Sequence, residues 1–362
     1  MSFKMVFRWF GENHDSVKLE QIRQIPGIHG VVGALFDIPV GEVWPEKDIF
    51  ELKEKIKSHG LSFEVIESVN IHEDIKLGLP SRERYIENYR ETIKNLSKAG
   101  IKVICYNFMP VFDWTRTELA YKLEDKSETM RYDHNIIKNL KPEDLVKTVN
   151  STSGGFTLPG WEKDRLKELE PVMKQYQDMT EEKLFSNLVY FLEAIMPTCE
   201  QYDVKMAIHP DDPPWSVFNL PRIIKNFDDL KRLTETVDSP YNGITLCTGS
   251  LGANKENNIP EIIRYFGSRK RIHFAHVRNL KFTGDRVFHE TSHLSSDGSF
   301  DMFEIMKALY DVSFDGYIRP DHGRMIWGEK ARPGYGLYDR ALGIAYLNGL
   351  WEAIDKMNLR YR

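Results

Sequence analysis

The chain has 362 residues, 28% charged and 41% hydrophobic, an ordinary globular composition with room for one large domain or two average ones. Its 54 acidic and 49 basic side chains leave a net charge of -5, and no lysine or arginine run offsets that balance, which argues against a nucleic-acid partner. Three cysteines are too few for a disulfide framework. The apolar stretch "VVGALFDIPV" is too short to span a bilayer, and the opening "MSFKMVFRWFGENHD" holds no extended apolar region, so a reduced, cytoplasmic protein without a membrane partner is expected.

Short apolar segments alternate with helical patterns along the chain. The first strand, "MVFRW", starts at Met5, and the second, "VVGALF", at Val31. The stretch "EKDIFELKEKIKSHG" follows, with Ile49, Leu52 and Ile56 at helical spacing and Gly60 as its terminator. After the strand "FEVIES" from Phe63, a second helix opens at Ser81 as N-cap and closes at Gly100. The fourth strand, "KVICYNF", starts at Lys102, and the fifth, "VKMAIHP", only at Val204. Strands "ITLCTG" from Ile244, "IHFAHVRN" from Ile272 and "GYIRP" from Gly316 complete a set of eight. Amphipathic stretches are expected at about 182–202, 221–236, 257–267 and 299–312, with a last helix at about 336–357.

Eight strands in alternation with helices make a (β/α)8 TIM barrel, α/β in class, as a single domain over 1–362. A doubly wound open sheet is the alternative, but "FRWFGENHD" after the first strand is not its glycine fingerprint. The long gap after strand four, about 109–180, is an insertion. It starts "MPVFDWTRTELAYKLEDKS" and later holds the turn-rich "NSTSGGFTLPGWEKD" with Trp161. On a barrel it belongs to the C-terminal face, as a lid over the site or as a dimer contact.

Barrel chemistry sits at the strand ends, and the last four end in "MAIHPDDPP", "TLCTGS", "FAHVRN" and "IRPDHGR". Side-chain alternation turns Met206, Ile208, Ile244, Leu246, Ala275, Val277, Ile318 and Pro320 toward the helices. The same parity turns His209, Cys247, His276 and Asp321 inward to one cup. Each alone reads as an ordinary strand-end polar residue or, for Cys247, a small core hydrophobe. Together they form a mixed N/S/O set suited to a divalent transition metal, without identifying it. Arg278, inward with His276, and Arg324 are candidates to grip a substrate carboxylate, as is Arg332; the alternative is pairing with an acidic neighbour such as Asp211 or Asp212. His322 beside Asp321 and Tyr335 in a glycine-flanked loop are candidates for proton transfer, although Tyr335 also suits a loop anchor. His72, in "NIHEDIKLG" after strand three, is either near the substrate or part of a capped loop. His273 has the opposite parity and reads as hydrogen-bonded packing, and Ser250 lacks the setting of a nucleophile.

The motifs "HPDDPP", "LCTGSLG", "IHFAHVRN" and "IRPDHGR", with "ESVNIHEDIK" and "NFMPVFDWTRT" upstream, closely resemble the bacterial mannonate dehydratase family from end to end. The resemblance implies a xylose-isomerase-like barrel that converts D-mannonate to 2-dehydro-3-deoxy-D-gluconate and water in hexuronate (glucuronate) breakdown. It implies one divalent Mn²⁺ or Fe²⁺ per subunit and no organic cofactor, with His209, Cys247, His276 and Asp321 as ligands. It puts proton transfer on His322 and Tyr335, and a homodimer goes with it. A metal-dependent sugar isomerase or epimerase on the same barrel is the alternative, and a non-catalytic sugar-acid binding protein a more distant one.

Overall fold

A computed structural model describes residues 3–153, Gly155 and 169–359. Twelve strands are present among them: β1 (Lys4–Arg8), β2 (Ile28–Gly33), β3 (Ser62–Glu67), β4 (Val103–Tyr106), β5 (Glu118–Lys122), β6 (Glu128–Asp133), β7 (Lys205–Ile208), β8 (Asn242–Cys247), β9 (Ile272–His276), β10 (Leu280–Gly284), β11 (Val287–Glu290) and β12 (Tyr317–Arg319). Eight of them close a parallel barrel in the order β1-β12-β9-β8-β7-β4-β3-β2. These are the eight strands expected, in sequence order around the ring, so the (β/α)8 architecture holds.

The strands sort their side chains by parity. Met5, Phe7, Ile104, Met206, Ile208, Ile244, Leu246, Ala275, Val277 and Ile318 join the main core between barrel and helices. Val6, Val32, Val65, Val103, Cys105, Ala207, Phe274 and Tyr317 form a separate apolar plug inside the barrel. With the interior filled, polar residues one step further along each strand are confined to its C-terminal mouth.

The helices follow the same logic. Glu181–Tyr202 buries Leu184, Leu188, Phe191, Leu192, Ile195 and Cys199 on one stripe, and the Thr180 hydroxyl accepts the Lys183 N–H at its start. Gly60 and Gly100 lie at φ +71° and +80°, where a side chain would be strained, as expected of terminators. Ser81 departs from its expected role: it precedes the helix Arg82–Lys98, but its hydroxyl donates to Asp74 and caps nothing. The helix expected at 221–236 begins only at Phe227. Before it, the Asp211 carboxylate accepts the Ile223 and Ile224 N–H groups, which holds 221–226 out of helical geometry.

The insertion after β4 holds structure that alternation did not reveal. Its strands β5 and β6 pair with a hairpin, β10 and β11, that follows β9, giving an antiparallel sheet ordered β10-β11-β6-β5. Lys126 and Arg286, both at positive φ, turn the two hairpins. Phe112, Trp114, Met130, Tyr132, Leu220, Leu280 and Phe288 share a second core beneath this sheet. The stretch around Trp161 lies outside the described residues.

Candidate active site

The register of the barrel sets the floor of the site. Cys247 pairs with His276 and His276 with Arg319, so three strand ends deliver their side chains at one level. His209, one residue past β7, joins them, its ring centroid 5.1 Å from that of His276. Its Nδ1–H donates to the Pro210 carbonyl at 2.7 Å, which leaves the Nε2 lone pair open. Ligand atoms of His209, Cys247 and His276 all lie within 4.8 Å of one another. The Cys247 thiol sits at the start of the turn Thr248–Gly252, where it accepts the Ser250 N–H at 3.4 Å.

Asp321 stands beside this group, 3.6 Å from the Cys247 sulfur and 3.8 Å from His276 Nδ1. Its backbone is left-handed, at φ +59°, a strained conformation for a residue of this type outside a turn. Arg278 Nε lies 2.6 Å from one carboxylate oxygen and Arg319 2.8 Å from the other. Burial alone would raise this carboxyl's pKa, but His322, Arg319, His276 and Arg278 hold it well below the usual range. Two imidazoles, a thiol and an ionised carboxylate fit a divalent transition metal. His276 Nε2 faces the Glu67 carboxylate at 3.4 Å, the kind of outer partner that orients a metal-ligating imidazole, while Nδ1 is the nitrogen on the Asp321 side.

A closed ring of four charges lies above the floor. Arg116 forks onto Asp212 at 2.7 and 3.0 Å and reaches Glu290 at 2.9 Å. Arg278 completes the ring, 2.6 Å from Glu290 and 2.9 Å from Asp212. All four are almost fully buried. Burial opposes ionisation of both acids, yet the arginines overcome it, holding Asp212 well below its ordinary range and Glu290 at about 2. The accessory sheet supplies half of the ring, since Glu290 ends β11 and Arg116 leads into β5.

Glu290 also faces the proton-transfer candidates. Its carboxylate is 3.2 Å from His322 Nδ1, and His322 Nε2 is 3.0 Å from the Tyr335 hydroxyl. A carboxylate only accepts, so Nδ1 carries the proton and the Nε2 lone pair accepts from tyrosine. Burial pushes the Tyr335 phenol up to about 12, against the pull of Arg319.

The other candidates fall in different places. Arg324 is bonded through its fork to Asp339 and through Nη1 to Asp125. Arg278 has all three nitrogens committed to Glu290, Asp212 and Asp321, so both arginines follow the acidic-neighbour alternative. Arg332 donates to the His14 carbonyl. His72 caps the short helix Glu73–Leu77 through Nδ1 and stacks on Tyr85 at 3.6 Å, the capped-loop alternative. His273 donates to the Met206 carbonyl as expected of packing, and Ser250 donates to Asp212. Sequence reasoning missed Arg8, Glu67, Arg116 and Glu290 as residues of the cup. Carrying the parity rule back to the first and third strands, where Val6 and Val65 face inward, finds Arg8 and Glu67. No local pattern marks Arg116 or Glu290.

A filled (β/α)8 barrel with an N/S/O donor group and a buried imidazole–phenol pair at its C-terminal mouth defines an enzyme of the metal-assisted acid–base class. Residues 3–361 match the family described as D-mannonate dehydratase (UxuA). The mannonate dehydratase of Thermotoga petrophila is 68% identical over 358 residues, 99% of each chain. That of Geobacillus thermodenitrificans is 58% identical, covering 97% of this chain and 95% of its own. The crystal structure of mannonate dehydratase from Streptococcus suis serotype 2 superposes with a TM-score of 0.90 at 44% identity, covering 98% and 96%. The chain belongs to the D-mannonate dehydratase family, and its activity is that of a hydro-lyase on D-mannonate. The isomerase or epimerase alternative is not favoured: a D-psicose 3-epimerase structure aligns at 12% identity and TM-score 0.55, a likeness of fold alone.

Proposed function

We propose that this cup eliminates water from D-mannonate with His209, Cys247, His276 and Asp321 as metal ligands and His322 and Tyr335 as the proton-transfer pair, yielding 2-dehydro-3-deoxy-D-gluconate in hexuronate breakdown. The observation that carries the reading is the 3.0 Å His322–Tyr335 hydrogen bond, with His322 Nε2 only 3.7 Å from Asp321. A bound Mn²⁺ or Fe²⁺ would supply Lewis-acid polarisation of substrate oxygens. Glu290 fixes the His322 tautomer, so Nε2 is the atom that takes the C2 proton. The Tyr335 hydroxyl, still protonated at neutral pH, gives its proton to the C3 hydroxyl as the C3–O bond breaks and water leaves. The proton held on His322 then crosses to the tyrosine oxygen, which restores both groups, and the enol product ketonises with protonation at C3. Arg278 and Arg319 hold the Asp321 carboxylate in place throughout.

The same reading makes the protein cytoplasmic and homodimeric. Three buried free cysteines suit a reducing compartment. Trp327, 73% exposed, together with exposed Tyr338 and Leu342, offers apolar surface for a second copy. The insertion serves as a lid, since it contributes Arg116 to the charge ring. The test is an anaerobic assay of Mn²⁺- or Fe²⁺-reconstituted protein with D-mannonate, following the 2-keto product. Product dependent on added metal is expected; full turnover after exhaustive chelation would overturn the metal-assisted route.

A further inference from the structure

D-mannonate carries one negative charge, and the cup must meet it, yet Arg278 and Arg324 are already committed to protein carboxylates and Arg332 donates to the His14 carbonyl. Arg319 also commits Nη2, to Glu67 at 3.0 Å and Asp321 at 2.8 Å. Arg8 differs. It ends β1 with the inward parity of Val6, and it is only 4% exposed. Among the described residues its guanidinium makes no hydrogen bond and no ion pair, and its buried Nη1 has no partner at all. What holds it is aromatic: its guanidinium carbon lies 4.7 Å from the Phe10 ring centroid and 5.4 Å from that of Phe36.

A buried guanidinium without an acceptor is costly and rare, and it marks a place where an anion is expected. Tyr335 is close by. Its ring meets Phe10 edge-on at 4.9 Å, and Arg340 donates to the carbonyls of both Arg8 and Tyr335, tying the end of β1 to the loop that carries the phenol. Burial disfavours the charged form of Arg8; the Glu67 carboxylate offsets part of that cost and Arg319 adds to it, so the net pull is still downward and an arriving carboxylate would relieve it.

We propose that Arg8 is the carboxylate anchor of the substrate site, a specificity-determining residue whose fork grips C1 of an aldonic acid and so sets C2 and C3 against His322 and Tyr335. The proposal rests on the assignment of those two residues. A planar fork supported by two rings selects a planar, bidentate anion over a neutral sugar. Because C2 is bonded to the carboxyl carbon, an anchor beside Tyr335 orients the reacting bonds as well as binding the substrate.

The test compares wild type with Arg8→Met and Arg8→Lys, all metal-loaded, for the KM of D-mannonate, the competitive Ki of the neutral analogue D-mannitol, and bound metal. Arg8→Met is expected to raise KM about 100-fold with metal content unchanged and the D-mannitol Ki within about twofold of wild type. Arg8→Lys, which keeps the charge but not the fork, is expected to fall between, and it carries the comparison should the methionine variant not fold. An unchanged KM overturns the proposal. So does a D-mannitol Ki that rises in step with KM, since that reports a structural role. If instead calorimetric binding of D-mannonate depends on Arg8 while Tyr335→Phe keeps full turnover, the anchor stands and the proton-transfer assignment fails.

Discussion

Glu290 joins the two halves of the site, one carboxylate touching Arg116, Arg278 and His322. Its removal therefore acts in two ways. Glu290→Gln leaves the His322 tautomer without its fixed acceptor and is expected to lower kcat about 10- to 100-fold while KM changes little. Steady-state kinetics separates the two parameters, and an unchanged kcat would remove Glu290 from the relay. The substitution also unbalances a ring in which two arginines offset two acids, and loss of one partner of a buried pair costs about 3–5 kcal/mol. The ring occupies Arg278, and Asp339 occupies Arg324, so both take the acidic-neighbour alternative that residue type alone leaves open. An arginine beside a metal-ligand motif has the right chemistry for substrate, but the acids that occupy it arrive from elements distant in sequence.

At the scale of the element, β9 shows both what alternation reveals and what it does not. Phe274 and His276 face the interior and Ala275 the helices, as the "IHFAH" pattern requires. His273 is buried neutral, donating Nδ1–H to the Met206 carbonyl, with burial lowering its pKa to about 4. The unfolded chain therefore binds a proton near pH 6.5 that the native state refuses until about pH 4. Stability from this group is present above pH 6.5 and is lost as pH falls through that window, about 2 kcal/mol between pH 7.5 and 5. Urea unfolding of His273→Asn, which keeps a donor without the titration, should show a pH slope flatter by that amount. An identical slope in both proteins would mean that His273 does not titrate this way. The strands β5, β6, β10 and β11 were not legible, because an antiparallel sheet assembled from two distant hairpins leaves no period in either segment alone. Glu290 and Arg116 were hidden for that reason.

Taken whole, the molecule places its chemistry by a simple device. An apolar plug of Val, Ala, Cys, Phe and Tyr closes the barrel below. The accessory sheet carries Arg116 and Glu290 in from above, so that the charges of the site meet between the two. The eight barrel strands, with Cys247 and His276 at the ends of two of them, were readable because period-two alternation needs only the strand itself, whereas His209 and Asp321 lie just past the ends of β7 and β12. What lies between them depends on tertiary pairing, which no local pattern records. On the proposed function, Cys247 holds the metal on which turnover depends, together with His209, His276 and Asp321. The most direct measurement is bound metal per chain and D-mannonate turnover for anaerobically purified wild type and Cys247→Ser, side by side. Loss of most of the metal and at least about a 100-fold loss of turnover, with the far-ultraviolet circular dichroism unchanged, is the predicted result; full metal occupancy and full activity in the serine variant would contradict it.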